Sequence, residues 1–189
     1  AIIDAVFQGT GQAAVAPIPP TSWGYNDKLV DDPYDPEAAK AELEAAGVSG
    51  LKMKVWAMPV QRPYNPNARR MAELIQADFE KIGVTVEIVS FEWAEYLARS
   101  KDKDRDGAVM LGWTGDNGAP DNFLFLLGCA AVGQSNYAIW CNKEFEDLLQ
   151  AGKATNDQAE RTKIYEKAQE VFKREAPWLT IAHSKVFMP

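Results

Sequence analysis

Apolar and polar positions change their period several times along the chain, and each change marks a predicted element. Residues 1–8 (AIIDAVFQ) place Ile2, Ile3, Val6 and Phe7 at helical spacing, with no capping residue ahead of them. This reads as a longer helix that has lost its beginning. Residues 9–36 carry so many glycines and prolines that only an extended segment is expected there, pinned by Trp23 and Tyr25. Asp35 then offers a cap, Pro36 suits the first helical position, and EAAKAELEAA runs to a stop at Gly47.

The run LKMKVWA (51–57) alternates with the period of a strand. An amphipathic helix follows over Asn67–Ile82, with Met71, Ile75, Phe79 and Ile82 along one face and Gly83 closing it. VTVEIVS (84–90) is a second strand, so a strand, a helix and a strand fall within 40 residues, the pattern of a right-handed parallel unit. FEWAEYLARS predicts a short helix, DKDRDG a turn, and AVMLGW (108–113) a third strand. Helices are expected over Lys143–Ala151 and Asp157–Glu175, the second with Ile164, Ala168, Val171 and Phe172 inward and Pro177 ending it. WLTIAH (178–183) is a last strand, after which little remains to bury the chain's end. No repeat or linker divides the 189 residues, so the prediction is a single α/β lobe whose ligand would lie beyond the carboxyl ends of its strands.

Composition narrows the partners. With 47% hydrophobic residues the chain can bury a real core, and a net charge of −7 without any lysine or arginine block argues against nucleic acid or an anionic membrane. No apolar run approaches the roughly 18 residues of a membrane span, and the N-terminus lacks the order of a signal peptide. The chain therefore reads as soluble, with any export signal removed or never included.

Catalysis finds nothing specific to stand on. No G-x-S-x-G, P-loop, H-E-x-x-H or G-x-G-x-x-G after a strand occurs, and the single histidine, His183, reads as a core or edge residue of a strand. The carboxylates of the KDKDRDG run (Asp102, Asp104 and Asp106) lack the ligand series of a calcium loop, and the run reads as a solvated turn. We expect no enzyme, no cofactor and no metal site. Cys129 and Cys141 flank CAAVGQSNYAIWC and are either two separate buried thiols or a disulfide. The disulfide would contribute about 3 kcal/mol and imply an oxidising compartment.

Binding is better served. Arg62 in MPVQRPY is a fixed cation just beyond a predicted strand, and Asp116 in GWTGDNGAPDNF is a fixed anion beyond another. At one cleft they could hold the two ends of a short peptide, the arginine by a bidentate fork. The bland alternatives are that Asp116 closes a turn and Arg62 lies on the surface. Trp113, Trp93, Trp56 and Tyr64 near the same strand ends could wall a pocket or fill the core.

Taken together, MPVQRPYNPNARRMAELIQADFEKIGV, VSFEWAEYL, MLGWTGDNGAPDNF, CAAVGQSNYAIWC and WLTIAHSKVF closely resemble the periplasmic dipeptide-binding receptors of ABC importers, within the peptide- and nickel-binding class of solute receptors. The resemblance implies a periplasmic-binding-protein type II fold, a mostly parallel sheet flanked by helices. It makes residues 1–189 the C-terminal lobe of a two-lobed receptor whose N-terminal lobe is absent. It implies that Arg62 binds the peptide carboxylate with Pro63 and Tyr64 in the same loop, and that Asp116 binds the peptide ammonium. Trp113, Thr114 and Gly115 would supply ring and backbone contacts, Trp93 would shape the side-chain pocket, and Cys129 would pair with Cys141. Ala119 departs from the pattern, where the family usually has an acidic residue, which puts local charge and turn capping in question. The implied partners are a dipeptide, the missing lobe, the importer's membrane permease and a chemoreceptor, in the periplasm.

Other readings remain. One is a different ligand of the class: an oligopeptide, glutathione, haem or a nickel chelate, the last disfavoured by the lone histidine. Another is an isolated lobe that self-associates through the rim its partner would cover, as a folding module without useful affinity. A peptidase, the third, would turn over a dipeptide, and none is expected to be turned over.

Overall fold

The computed structural model describes residues 1–185; residues 186–189, which complete the WLTIAHSKVF run and the chain end expected to lack cover, lie outside the described residues. The chain starts in a π-helical turn, Ile3–Phe7, that buries Val6 and Phe7 and ends at left-handed Gln8 (φ 49°). The predicted helix is thus present in shorter, wider form. Its Phe7 ring covers Gly11, where a Cβ would come within 2.7 Å of the ring.

Gly11 opens strand β1 (Gly11–Ala13), which pairs antiparallel with β5 (Ala182–Ser184) in a separate two-stranded ribbon, Gly11 opposite Ser184. This corrects two expectations. The glycine- and proline-rich segment does contain a regular element, and the last strand is shorter than the predicted 178–183 and shifted toward the C-terminus. Three residues carry no local pattern, and the ladder forms because the opposite end of the chain supplies the partner.

The main sheet has three parallel strands, β2 (Lys52–Trp56), β3 (Thr85–Val89) and β4 (Ala108–Val109), in the order β3-β2-β4. Register runs from Lys52 opposite Thr85 to Trp56 opposite Val89, and from Val55 opposite Ala108 to Trp56 opposite Val109. Helix α1 (Pro36–Ala45) is capped by the Asp35 carboxylate, which accepts from the Ala38 amide at 3.0 Å. Helix α2 (Ala68–Lys81) is capped by Asn67, which accepts from the Arg70 amide at 2.9 Å, and it buries Met71, Ala72 and Ile75. Short helices α3 (Trp93–Arg99) and α4 (Asp121–Leu124) follow β3 and β4, and α5 (Lys143–Ala154) and α6 (Gln158–Glu175) pack together.

Two apolar clusters result. One joins the sheet to α2 and α3 through Val55, Trp56, Met71, Ile75, Val86, Tyr96 and Met110. Trp56, 5% exposed, belongs to this core and does not wall a ligand site. The other gathers Ile18, Leu124, Leu127, Phe145, Leu149, Tyr165, Val171 and Phe172 around α5 and α6. Here a fully buried glutamine, Gln169, fastens the proline-rich segment: its Oε1 accepts from the Asn26 amide at 3.1 Å and its Nε2 donates to the Gly24 carbonyl at 2.7 Å. Among the described residues no helix is long and apolar enough to cross a membrane.

Candidate ligand-binding site

Because β2, β3 and β4 are parallel, their carboxyl ends open on one edge, and each of the sequence's signature loops leaves from that edge. The strand ends are tied by main-chain and side-chain bonds. The Ala57 amide donates to Val89 O at 2.9 Å and the Met110 amide to Trp56 O at 3.1 Å. Ser90 Oγ donates to Ala57 O at 2.8 Å. The Tyr96 hydroxyl lies 2.8 Å from both the Trp56 and the Met110 carbonyls, bridging the ends of β2 and β4. Tyr96 is fully buried, and burial drives its phenol pKa upward, so the hydroxyl stays protonated and able to donate.

Arg62 sits in a tight loop after β2. Reciprocal backbone bonds close it, from the Arg62 amide to Asn65 O at 3.1 Å and from the Asn65 amide to Arg62 O at 3.0 Å. Buried Asn65 continues the scaffold, accepting from the Asn67 amide at 3.1 Å and leading straight into the α2 cap. The Arg62 guanidinium lies over the Trp93 ring, 4.4 Å from its centroid, and Trp93 in turn stacks on Tyr96 at 5.8 Å with ring planes 17° apart. A stacked guanidinium directs its N–H groups outward at the ring's edge.

Asp116 lies in the exposed loop after β4. Asn122 on α4 organises it: Asn122 Oδ1 accepts from Trp113 Nε1 at 2.9 Å and from the Asp116 amide at 3.2 Å. Asn122 Nδ2 faces Asp116 Oδ2 at 3.5 Å. The neighbouring turn is closed by Asn117, whose Oδ1 accepts from the Ala119 amide at 3.0 Å, so the alanine at position 119 leaves that turn capped. Among the described residues neither Arg62 nor Asp116 makes an ion pair with the protein.

The two charged loops touch. Gly112 lies against the Tyr64 ring so closely that any Cβ there would overlap it. Partial burial raises the Tyr64 phenol pKa, against the opposing pull of the Arg62 charge and a hydrogen bond with the Gly112 backbone. Gly115 likewise abuts Phe123, where a Cβ would stand 2.6 Å from the ring. Pro63 and Thr114 are exposed beside these contacts, and Trp113, 39% exposed, meets Phe125 edge-on at 5.6 Å. The structure thus gathers Arg62, Pro63, Tyr64 and Trp93 in one group, ties Trp113, Gly115 and Asp116 into the loop after β4, and joins the groups through Tyr64 and Gly112. Sequence reasoning missed Tyr96 and Asn122. A tyrosine on the inward face of a short helix after β3 was the available signal for the first, and an asparagine next to the GDNGAP turn for the second.

Cys129 and Cys141 form a disulfide, with Cα atoms 4.6 Å apart. Buried Asn136 fills the loop it closes, donating from Nδ2 to Gly128 O at 3.1 Å and Trp140 O at 2.8 Å. His183 lies in the β1–β5 ribbon, far in sequence from the edge loops, and among the described residues no cluster of histidine, cysteine or carboxylate could hold a metal.

Comparison with known proteins places this arrangement. The family model for bacterial extracellular solute-binding proteins, family 5 Middle, matches residues 1–134. The dipeptide-binding protein of Escherichia coli (strain K12) is 58% identical over all of this chain, which covers 36% of that protein. Heme-binding protein A of Haemophilus influenzae is 48% identical over the whole chain, covering 35% of it. The crystal structure of a dipeptide-binding protein from Pseudoalteromonas sp. SM9913 in complex with Met-Leu superposes on 97% of this chain with a TM-score of 0.92 at 43% identity, 36% of that protein being covered. The chain therefore spans about a third of the length of these relatives.

Proposed function

The chain belongs to the bacterial extracellular solute-binding proteins of family 5, and from that premise we propose that it is the C-terminal lobe of a two-lobed, non-catalytic dipeptide receptor that serves an ABC importer in the periplasm. Arg62 takes the peptide carboxylate and Asp116 the peptide ammonium. Tyr64 and Pro63 line the carboxylate end, Trp113, Thr114 and Gly115 the other, and Trp93 borders the side-chain pocket. The N-terminal lobe, which this chain does not include, supplies the opposing wall, and the importer's permease receives the cargo.

One observation carries the reading. Three parallel strand ends deliver a cation and an anion to a single edge, each held by a neutral partner, Trp93 or Asn122, and neither paired with another charge among the described residues. Charges held this way are poised for charges that a ligand brings. A dipeptide carries one of each at the ends of a main chain of roughly 7 Å, so the separation of the two groups would measure length. Tolerance of side chains follows where the polar contacts go to groups that every dipeptide has.

Calorimetric titration of the two-lobed receptor with Ala-Phe, N-acetyl-Ala-Phe and Ala-Phe amide tests this. We expect Ala-Phe to bind and each blocked form to bind far more weakly. Equal binding of all three would remove both charges from the site. A haem-binding receptor is the second reading, favoured by the 48% identity to heme-binding protein A. It predicts a shifted Soret band on adding haemin that Ala-Phe does not displace.

A further inference from the structure

We propose that Asn122 is the positioning residue for the ammonium end of the site, fixing Asp116 and Trp113 as one unit; this rests on the dipeptide reading above. Both donors that reach Asn122 Oδ1, the Trp113 indole at 2.9 Å and the Asp116 amide at 3.2 Å, can be satisfied only by the amide oxygen. They fix which end of the side chain is which, and Nδ2 is left facing Asp116 Oδ2 at 3.5 Å, a loose contact. The backbone of the carboxylate residue is therefore held firmly while its side chain is only steered. A neutral amide steers without cancelling charge, as a lysine or arginine in its place would.

Asn122 is itself well founded. It rides on α4 between Asp121, which pairs with Arg161 at 3.4 Å, and Leu124, which is fully buried in the α5–α6 core. Arg161 lies over the Trp23 ring at 4.9 Å. The loop bearing Asp116 is exposed from Gly112 to Gly118, and Asn122 is the side chain that ties Asp116 itself to the core. The same oxygen occupies the indole N–H, so Trp113 offers a ligand its ring and not a donor.

The test uses the two-lobed receptor, with Asn122→Ala, Asn122→Asp, Asp116→Ala and the Asn122→Ala/Asp116→Ala pair. Asn122→Ala is expected to weaken Ala-Phe about ten- to hundredfold while leaving N-acetyl-Ala-Phe unchanged. Preference for the free over the acetylated peptide then collapses, while preference for Ala-Phe over its amide, which reads Arg62, persists. The double variant should bind no more weakly than Asp116→Ala. Asn122→Asp keeps the acceptor and should retain the Trp113 indole proton shift in a ¹⁵N spectrum, which Asn122→Ala should move. An Asn122→Ala receptor that keeps its free-over-acetylated preference overturns the role while the dipeptide reading stands. Loss of both preferences together also overturns it, by showing a general structural effect, as does an Asn122→Asp receptor whose Trp113 indole shift moves as it does in Asn122→Ala. A wild-type receptor that does not prefer the free peptide sinks the dipeptide reading and this proposal with it.

Discussion

Arg62 and Asp116 owe their readiness to neighbours that take up geometry without taking up charge. A guanidinium over an indole and a carboxylate beside an amide are oriented, yet each retains its electrostatic demand. In the two-lobed receptor Asp116→Ala should therefore cost about 2–5 kcal/mol of Ala-Phe binding, mostly by stranding the ligand ammonium in a closed cleft. Isothermal titration would show it, and an unchanged affinity would exclude Asp116 from the site. At this scale the sequence was readable where chemistry is rare: a lone arginine and a lone aspartate beyond strand ends stood out. Asn122 did not, because asparagine is common in turns and only the positions of its two donors reveal what it does. Trp56 was ambiguous because a tryptophan at a strand's end may face either side, and here it faces α3.

Among the elements, α1 and α2 were legible because their ends are written in the chain: an aspartate before proline, an asparagine cap, a closing glycine. Strand β4 was overread. AVMLGW is apolar over six residues, but β2 pairs with it only as far as Trp56, and Met110 is buried beyond the ladder. What holds that end is the Met110 amide on the Trp56 carbonyl, with the Tyr96 hydroxyl beside it. Tyr96→Phe should lower stability by about 1–3 kcal/mol, since the Met110 carbonyl loses the hydroxyl's one proton while the Trp56 carbonyl keeps the Met110 amide; urea unfolding would measure it, and a loss near zero would mean water replaces the hydroxyl. The β1–β5 ribbon has its own pH dependence. Among the described residues His183 Nε2 is buried without a hydrogen-bond partner, and burial pushes the ring's pKa below its ordinary 6.5. Well above pH 6.5 the ring is neutral both folded and unfolded. As pH falls below that value the unfolded chain takes up the proton first, so stability declines, by up to about 1.4 kcal/mol per pH unit, until the folded value is reached. Thermal melts of His183→Phe should lack this part of the decline; an identical pH profile would exonerate the histidine.

As a whole, the molecule presents the edge at its strand ends to water. Asp116 and the loop around it are exposed, and ion pairs in that setting contribute only about 0–1 kcal/mol each. The chain alone should therefore bind Ala-Phe at least a hundredfold more weakly than the two-lobed receptor, because closure and desolvation are what make the charges count. Titrating both proteins in one buffer checks this, and comparable affinities would mean that this lobe is a complete site. The lobe's α/β character was legible from periodicity, but its division into a sheet core and an α5–α6 core was not. The buried Gln169 that stitches the proline-rich segment to the second core reads locally as an ordinary polar helix residue.

Tyr96, Trp93 and Arg62 form a column of three tiers, planar ring on planar ring with the guanidinium on top, standing on two backbone carbonyls. Backbone carbonyls are present whatever the side chains are, so the foundation is indifferent to the cargo. Replacing the top tier alters what the edge attracts while the lower two keep their footing. The charge that this edge displays is thus separable from the packing that carries it.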